Sequence, residues 1–168
     1  MAFALLITTA LAMGGFVVTG AQGFLVSSGL AAGSAAARAL VTRHVGYAIP
    51  SVLLSLFSQS MVIFFFIGTG KLIKGEVAGF PEVERARVLS ALRRFKAKTS
   101  PAATLALLSA IAVFVLGGAV HTRALPSWVH LASAIAAVLI HGWALVAEAR
   151  AFAENTRLMD DPRAYARR

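Results

Sequence analysis

At 168 residues the chain has the length of one domain, yet 58% of it is apolar and only 14% charged, against roughly 45–50% and 25% in an average soluble domain. A mean hydropathy of +0.78 and an opening stretch, residues 1–37, without one charged side chain argue against a water-soluble globule. The absence of cysteine removes disulfides, thiolate metal sites and thiol nucleophiles together.

A bilayer core of roughly 30 Å needs about 20 apolar residues of helix. Four stretches qualify, at about residues 3–30, 46–70, 101–120 and 127–147. Hydrocarbon offers the backbone no partners, so these segments must satisfy their own amides as helices. Their unbroken apolarity excludes barrel strands, which alternate over about ten residues.

The first stretch is long. As a straight helix, residues 3–33 would reach about 45 Å, so it tilts, protrudes or breaks near Gly20 and Gly23. Residues 24–37 are too few to supply a further span. No basic n-region precedes the apolar run, which is longer than that of a signal peptide, so it reads as a retained span. Gly14, Gly15, Gly20 and Gly23, with a GxxxG at Gly29 and Gly33, favour close helix packing.

In the second span, Ser51, Ser55, Ser58 and Gln59 form one helical stripe. Gly68-Thr69-Gly70-Lys71 lacks the spacing of a phosphate loop. It reads as a glycine-capped helix end with a lysine reaching toward headgroups. Residues 81–98 then predict an amphipathic helix between spans two and three. Pro81 suits its first turn, with Glu82 and Glu84 at the start and Arg93, Arg94, Lys96 and Lys98 at the end, as the helix dipole prefers. Val88, Leu92 and Phe95 make its apolar face. The four basic residues are candidates for contact with anionic lipid or a partner, against the plainer reading of a solvated face. Ser100-Pro101 reads as the cap and first turn of span three. Asp160-Asp161-Pro162 should end the helical extension of span four within a tail at 148–168.

The basic residues are divided unevenly. Thirteen Lys and Arg lie in 71–100 and the tail, while Arg38, Arg43 and Arg123 lie in the other two connections. The positive-inside rule places both termini and the 71–100 connection in the cytoplasm, in the manner of a bacterial inner-membrane protein. The same rule accounts for the net charge of +9 without a nucleic-acid partner.

Span four carries the residues most suggestive of chemistry. His130, His141 and Glu148 are 11 and 7 residues apart, which puts them within about 20° on one helix face. Ionisable groups inside a membrane usually face the bundle interior. With Ser55, Ser58 and Gln59 they form a candidate polar track, in which His141 is expected inward and near Gln59. The plainer reading has Glu148 and His130 at opposite interfaces and only His141 inside. A second candidate gathers His44, His121 and His130 at the outer end as a metal or haem site, since imidazole suits zinc, copper and haem iron. None of these histidines has a paired spacing, and the outer segments hold no carboxylate to orient a ring.

The expected fold is all-α: a four-helix transmembrane bundle with a cytoplasmic amphipathic helix between spans two and three. No catalytic constellation points to an enzyme. The expected function is an accessory or interaction subunit of a larger membrane assembly, with the bilayer and other membrane subunits or further copies of itself as partners. The competing class is a histidine-dependent redox or metal protein with a b-haem-like centre. A transporter is less favoured, because no span is broken near its middle.

Overall fold

The computed structural model describes residues 2–27 and 35–166. Helix α1 is Ala2–Ser27, α2 is Ala35–Glu76, α3 is Glu82–His121 and α4 is Ser127–Asp160; a single 3-10 turn, Val77–Gly79, links α2 to α3, and α5, Pro162–Ala166, follows α4. Each of the four long helices is apolar and long enough to cross a membrane. They run up-down-up-down. α1 packs beside α2 and α4, α3 packs beside α2 and α4, and α2 faces α4 across the diagonal.

The buried positions follow one rule. Leu5, Thr9, Ala12, Phe16 and Thr19 on α1 step by four and three residues, and so do Val52, Ser55, Gln59, Val62, Phe66, Thr69 and Ile73 on α2. On α4 the series is Ala137, His141, Ala144, Glu148, Ala151, Asn155 and Leu158. α3 keeps the same steps from Val88 through Leu92, Phe95, Thr99 and Ala102 to Ala106. A sustained repeat of 3.5 residues keeps one seam facing its neighbours and winds the helices left-handedly.

Around that seam the bundle is turned outside in. Large apolar side chains face outward, with Phe64 64% exposed and Leu139 69% exposed, while His141 and Glu148 are 0% exposed. Such a surface would aggregate in water and is at home in lipid. Tyr47 and Trp128 are exposed at one end of the belt, where amphipathic rings anchor at an interface. Alanines Ala102, Ala106 and Ala144 form a small-residue core cluster where α3 meets α4. Gly15 brings α1 onto α2: a Cβ there would lie 2.8 Å from Ser51 Cβ.

The helices outrun the bilayer. At 26, 42, 40 and 34 residues they measure about 39, 63, 60 and 51 Å, against a hydrocarbon core of about 30 Å. The surplus of α3 and α4 lies at the charged end, while that of α2 is divided between residues 35–45 at the other end and residues 71–76 at this one. At the charged end Ile73, Val77, Val88, Leu92 and Leu158 are fully or almost fully buried. Phe65, Phe66, Phe95 and Phe152 pack with ring centroids 5.1–6.2 Å apart, Phe66 stacking on Phe152 and the other pairs tilted or edge-on. α5 closes this end, with Arg87 Nη1 donating to the Ala166 carbonyl at 3.1 Å and Arg163 lying over the Phe80 ring.

Two sequence expectations need correction, and one open question closes. The segment 82–98 is helical, and Val88, Leu92 and Phe95 do turn inward, but it is not a separate helix. α3 runs through Ser100 and Pro101 without a break. Pro101 is exposed while Thr99 and Ala102 beside it are buried, so packing on the opposite face carries the helix past the one amide bond that proline cannot make. Nor does α2 end at Gly70: it continues to Glu76, and Thr69 and Gly70 are buried. α1 passes Gly20 and Gly23 unbroken. The GxxxG pair Gly29 and Gly33 lies outside the described residues. The connection from α3 to α4 turns at Arg123, φ 62°, a left-handed position that closes the helix end by Ala124 N–H donating to the Ala119 carbonyl at 2.9 Å.

Candidate functional site: a polar diagonal between α2 and α4

Because the α4 seam has a seven-residue period, His141, Glu148 and Asn155 fall on one line. Each meets polar side chains of α2 or α1. His141 Nδ1 donates to the Ala137 carbonyl at 2.8 Å, because a carbonyl can only accept. In the neutral ring that leaves Nε2 to accept from the Ser55 hydroxyl, at 2.7 Å. Phe16 of α1 packs on the same ring at a centroid distance of 4.7 Å. The partner is therefore Ser55, one turn from the expected Gln59. Ser58 is buried too but donates to the Ser55 carbonyl of its own helix at 3.1 Å.

One layer further, Thr9 donates to Glu148 Oε2 at 3.3 Å, and the Gln59 amide lies beside the same carboxyl. Proximity is not a formed bond here. Glu148 Oε1 and both polar atoms of Gln59 are buried without a partner in hydrogen-bond geometry. An unsatisfied buried polar atom is costly, so this layer holds donor and acceptor capacity that the protein itself does not use. Glu148 thus sits inside the bundle, not at an interface. In the third layer Thr69 donates to the Phe65 carbonyl at 2.9 Å and approaches Asn155 Oδ1 at 3.3 Å.

The other end of the diagonal holds His44 and His130. α2 begins at Ala35, so His44 belongs to its third turn and not to a loop. His44 Nδ1 donates to the Thr19 carbonyl at 3.0 Å, which directs Nε2 elsewhere. The two imidazoles meet edge to face with centroids 6.0 Å apart and planes at 80°. A glycine opposes each. A Cβ at Gly23 would come within 3.3 Å of His44, and one at Gly117 within 3.0 Å of His130. His130 Nδ1 is buried and makes no hydrogen bond. His121 is exposed at the end of α3. Among the described residues no group of three His, Asp or Glu side chains is placed to hold a metal ion.

Of the basic candidates, Arg93 and Lys96 line a groove with Lys74 and Arg85. Arg94 instead reaches back to Ser90 Oγ at 3.2 Å, and Lys98 is exposed away from the groove. Sequence reasoning passed over Thr9, Thr69 and Asn155. Asn155 carried a signal, since the step from His141 to Glu148 repeats once more to reach it.

Four apolar spans around a polar seam define a small multi-pass membrane protein. A narrower affiliation does not follow: no family model, no curated protein and no solved structure matches the chain.

Proposed function

We propose that the protein is a small subunit of a membrane assembly that carries a bis-histidine redox centre, with His44 and His130 as ligands. The observation that supports this most is the 6.0 Å separation of the two rings. Ligation turns one nitrogen of each ring toward a shared ion at about 2.0–2.1 Å, so the rings leave their edge-to-face contact when the centre binds. The Thr19 carbonyl supplies the outer contact that fixes a ligating imidazole. Two ligands are too few for a structural zinc site, which takes four. Two histidines would suffice to hold haem iron, so b-haem is the centre this donor set favours. Facing helices of a bundle are a common place for such a group.

In this reading Lys and Arg set the orientation. Both termini and the extension of α2, α3 and α4 lie in the cytoplasm of a bacterial inner membrane, and the His44–His130 pair lies near the outer surface. The exposed apolar belt contacts lipid and neighbouring subunits. His141 ties α4 to α2 through Ser55, and Glu148 and Gln59 supply unpaired polar groups along the diagonal toward the centre.

The test is an absorption spectrum with metal analysis, on protein purified from haem- and metal-replete cells. We expect a haem band, or about one metal per chain, lost in both His44→Ala and His130→Ala and kept in His121→Ala. Protein with neither haem nor metal would defeat the redox reading and leave only a partner-binding subunit, to be sought by co-purification.

A further inference from the structure

Outside the diagonal, the most unusual local chemistry is the groove between α2 and α3 near the charged end. It measures about 340 Å³ and is lined by Lys74, Arg85, Leu89, Leu92, Arg93 and Lys96. Four cations surround two leucines, and no carboxylate takes part. The chain's seven acids all lie toward this end, yet among the described residues the one ion pair is Arg157–Glu154. Lys96 is held in place. A Cβ on Gly70 would lie 2.8 Å from Lys96 Cε, so the glycine of α2 provides the seat for the lysine stem. Lys96 also feels the charge of Lys74 across the groove. Gathering like charges without a counterion is unfavourable, and the arrangement makes physical sense when an anion from outside completes it.

We propose that this groove binds the phosphate of an acidic phospholipid headgroup at the membrane surface. Depth is the first argument. Ile67 and Leu72 on α2 are exposed apolar side chains, and the apolar run of α3 begins at Pro101, about 8 Å beyond Lys96 at 1.5 Å per residue. The Lys96 end of the groove therefore opens where hydrocarbon gives way to headgroups, and Arg85 lies about 16 Å further from the membrane along α3. Chemistry is the second. Two guanidinium groups match phosphate oxygens in pairs while the lysines add point charges. The leucines suit the glycerol and first methylenes of an amphiphile, which a free phosphate lacks. Basic pockets between membrane helices on the cytoplasmic side take lipid headgroups in this way. The proposal does not depend on the redox centre.

Native mass spectrometry of the full chain in neutral detergent tests it, with dioleoylphosphatidylglycerol and dioleoylphosphatidylcholine as probes. We expect phosphatidylglycerol to be retained in preference to phosphatidylcholine. The exposed pair Lys74→Gln with Arg93→Gln should weaken that binding on the order of 25-fold, about fivefold per charge removed. Arg94→Gln with Lys98→Gln removes the same charge outside the groove and should change it by less than about twofold. Melting curves of both double variants should match the parent. Equal retention of the two lipids, or equal loss in the two double variants, would overturn the site. Displacement of phosphatidylglycerol by millimolar inorganic phosphate would overturn the lipid assignment in favour of a free anion.

Discussion

The extension at the charged end and the spans beside it are built on opposite plans within the same helices. In the extension Ile73, Val77, Val88, Leu92 and Leu158 are inside, and Lys71, Lys74, Arg93 and Arg94 are outside. In the spans Thr9, Ala12, Ser55, Gln59, Ala106, His141 and Glu148 are inside, and Phe57, Phe64, Phe114 and Leu139 are outside. The hydrophobic effect explains the first plan, because water is the alternative environment. It has no force between helices already in hydrocarbon, where close packing and interhelical hydrogen bonds take over. One repeat of burial thus serves two physical regimes: Leu5, Val62 and Phe66 continue the apolar core across the boundary, while inside the spans small and polar residues join it and large apolar ones cover the outside.

Substitutions break or sharpen this contrast, and thermal or denaturant unfolding in detergent reads each of them. The largest effect is expected in the extension. Leu92→Ala removes a fully packed side chain and should cost about 2–5 kcal/mol. A cost below 1 kcal/mol would mean that the extension does not fold as a water-facing core. In the spans the sensitive direction is reversed. Ala106→Leu forces bulk into the tight α3–α4 seam and should cost about 1–3 kcal/mol. A neutral result would mean that α3 and α4 do not meet closely at these alanines.

Smaller effects follow from the polar layers and the lipid face. Ser55→Ala removes the hydroxyl beside His141 Nε2 and should cost about 0.6–2 kcal/mol. A double-mutant cycle with His141→Ala would assign that loss to the bond itself. Phe64→Ala, facing outward, should stay within about 0.5 kcal/mol. A loss above 1 kcal/mol there would show that Phe64 is covered by another subunit or a second copy of the chain.

Much of this architecture is legible in the sequence because it depends on local composition. Four apolar runs give four helices, and the face carrying His141 and Glu148 turns inward for the reason that lipid offers them no partner. What was hidden is where those helices continue. Ser100-Pro101 and Gly68 to Lys71 look like boundaries to local rules, but tertiary packing around Thr99, Ala102 and Thr69 carries α3 and α2 through them. His44 and His130 were already gathered at the outer end, but the helical placement of His44 was hidden: Arg38 and Arg43 made residues 38–45 read as a connection, whereas they form helix. Asn155 follows the period of α4 but lies past the end of the apolar run, so hydropathy filed it with the tail. The basic groove was half visible, in Arg93 and Lys96. Arg85 shares their face of α3, eleven residues before Lys96, and only Lys74 joins through helix pairing, which spacing along one helix cannot reveal.

The unbroken 3.5-residue seam has a consequence for how this chain can change length. A single inserted residue in α4 between His141 and Leu158 would rotate everything beyond it by about 100°. It would turn Asn155 and Leu158 out of the interior and bring exposed neighbours in. An insertion of seven keeps the register. The reach of the bundle beyond the membrane is therefore adjustable only in whole heptads, about 10 Å at a time, unless all neighbouring helices change in concert.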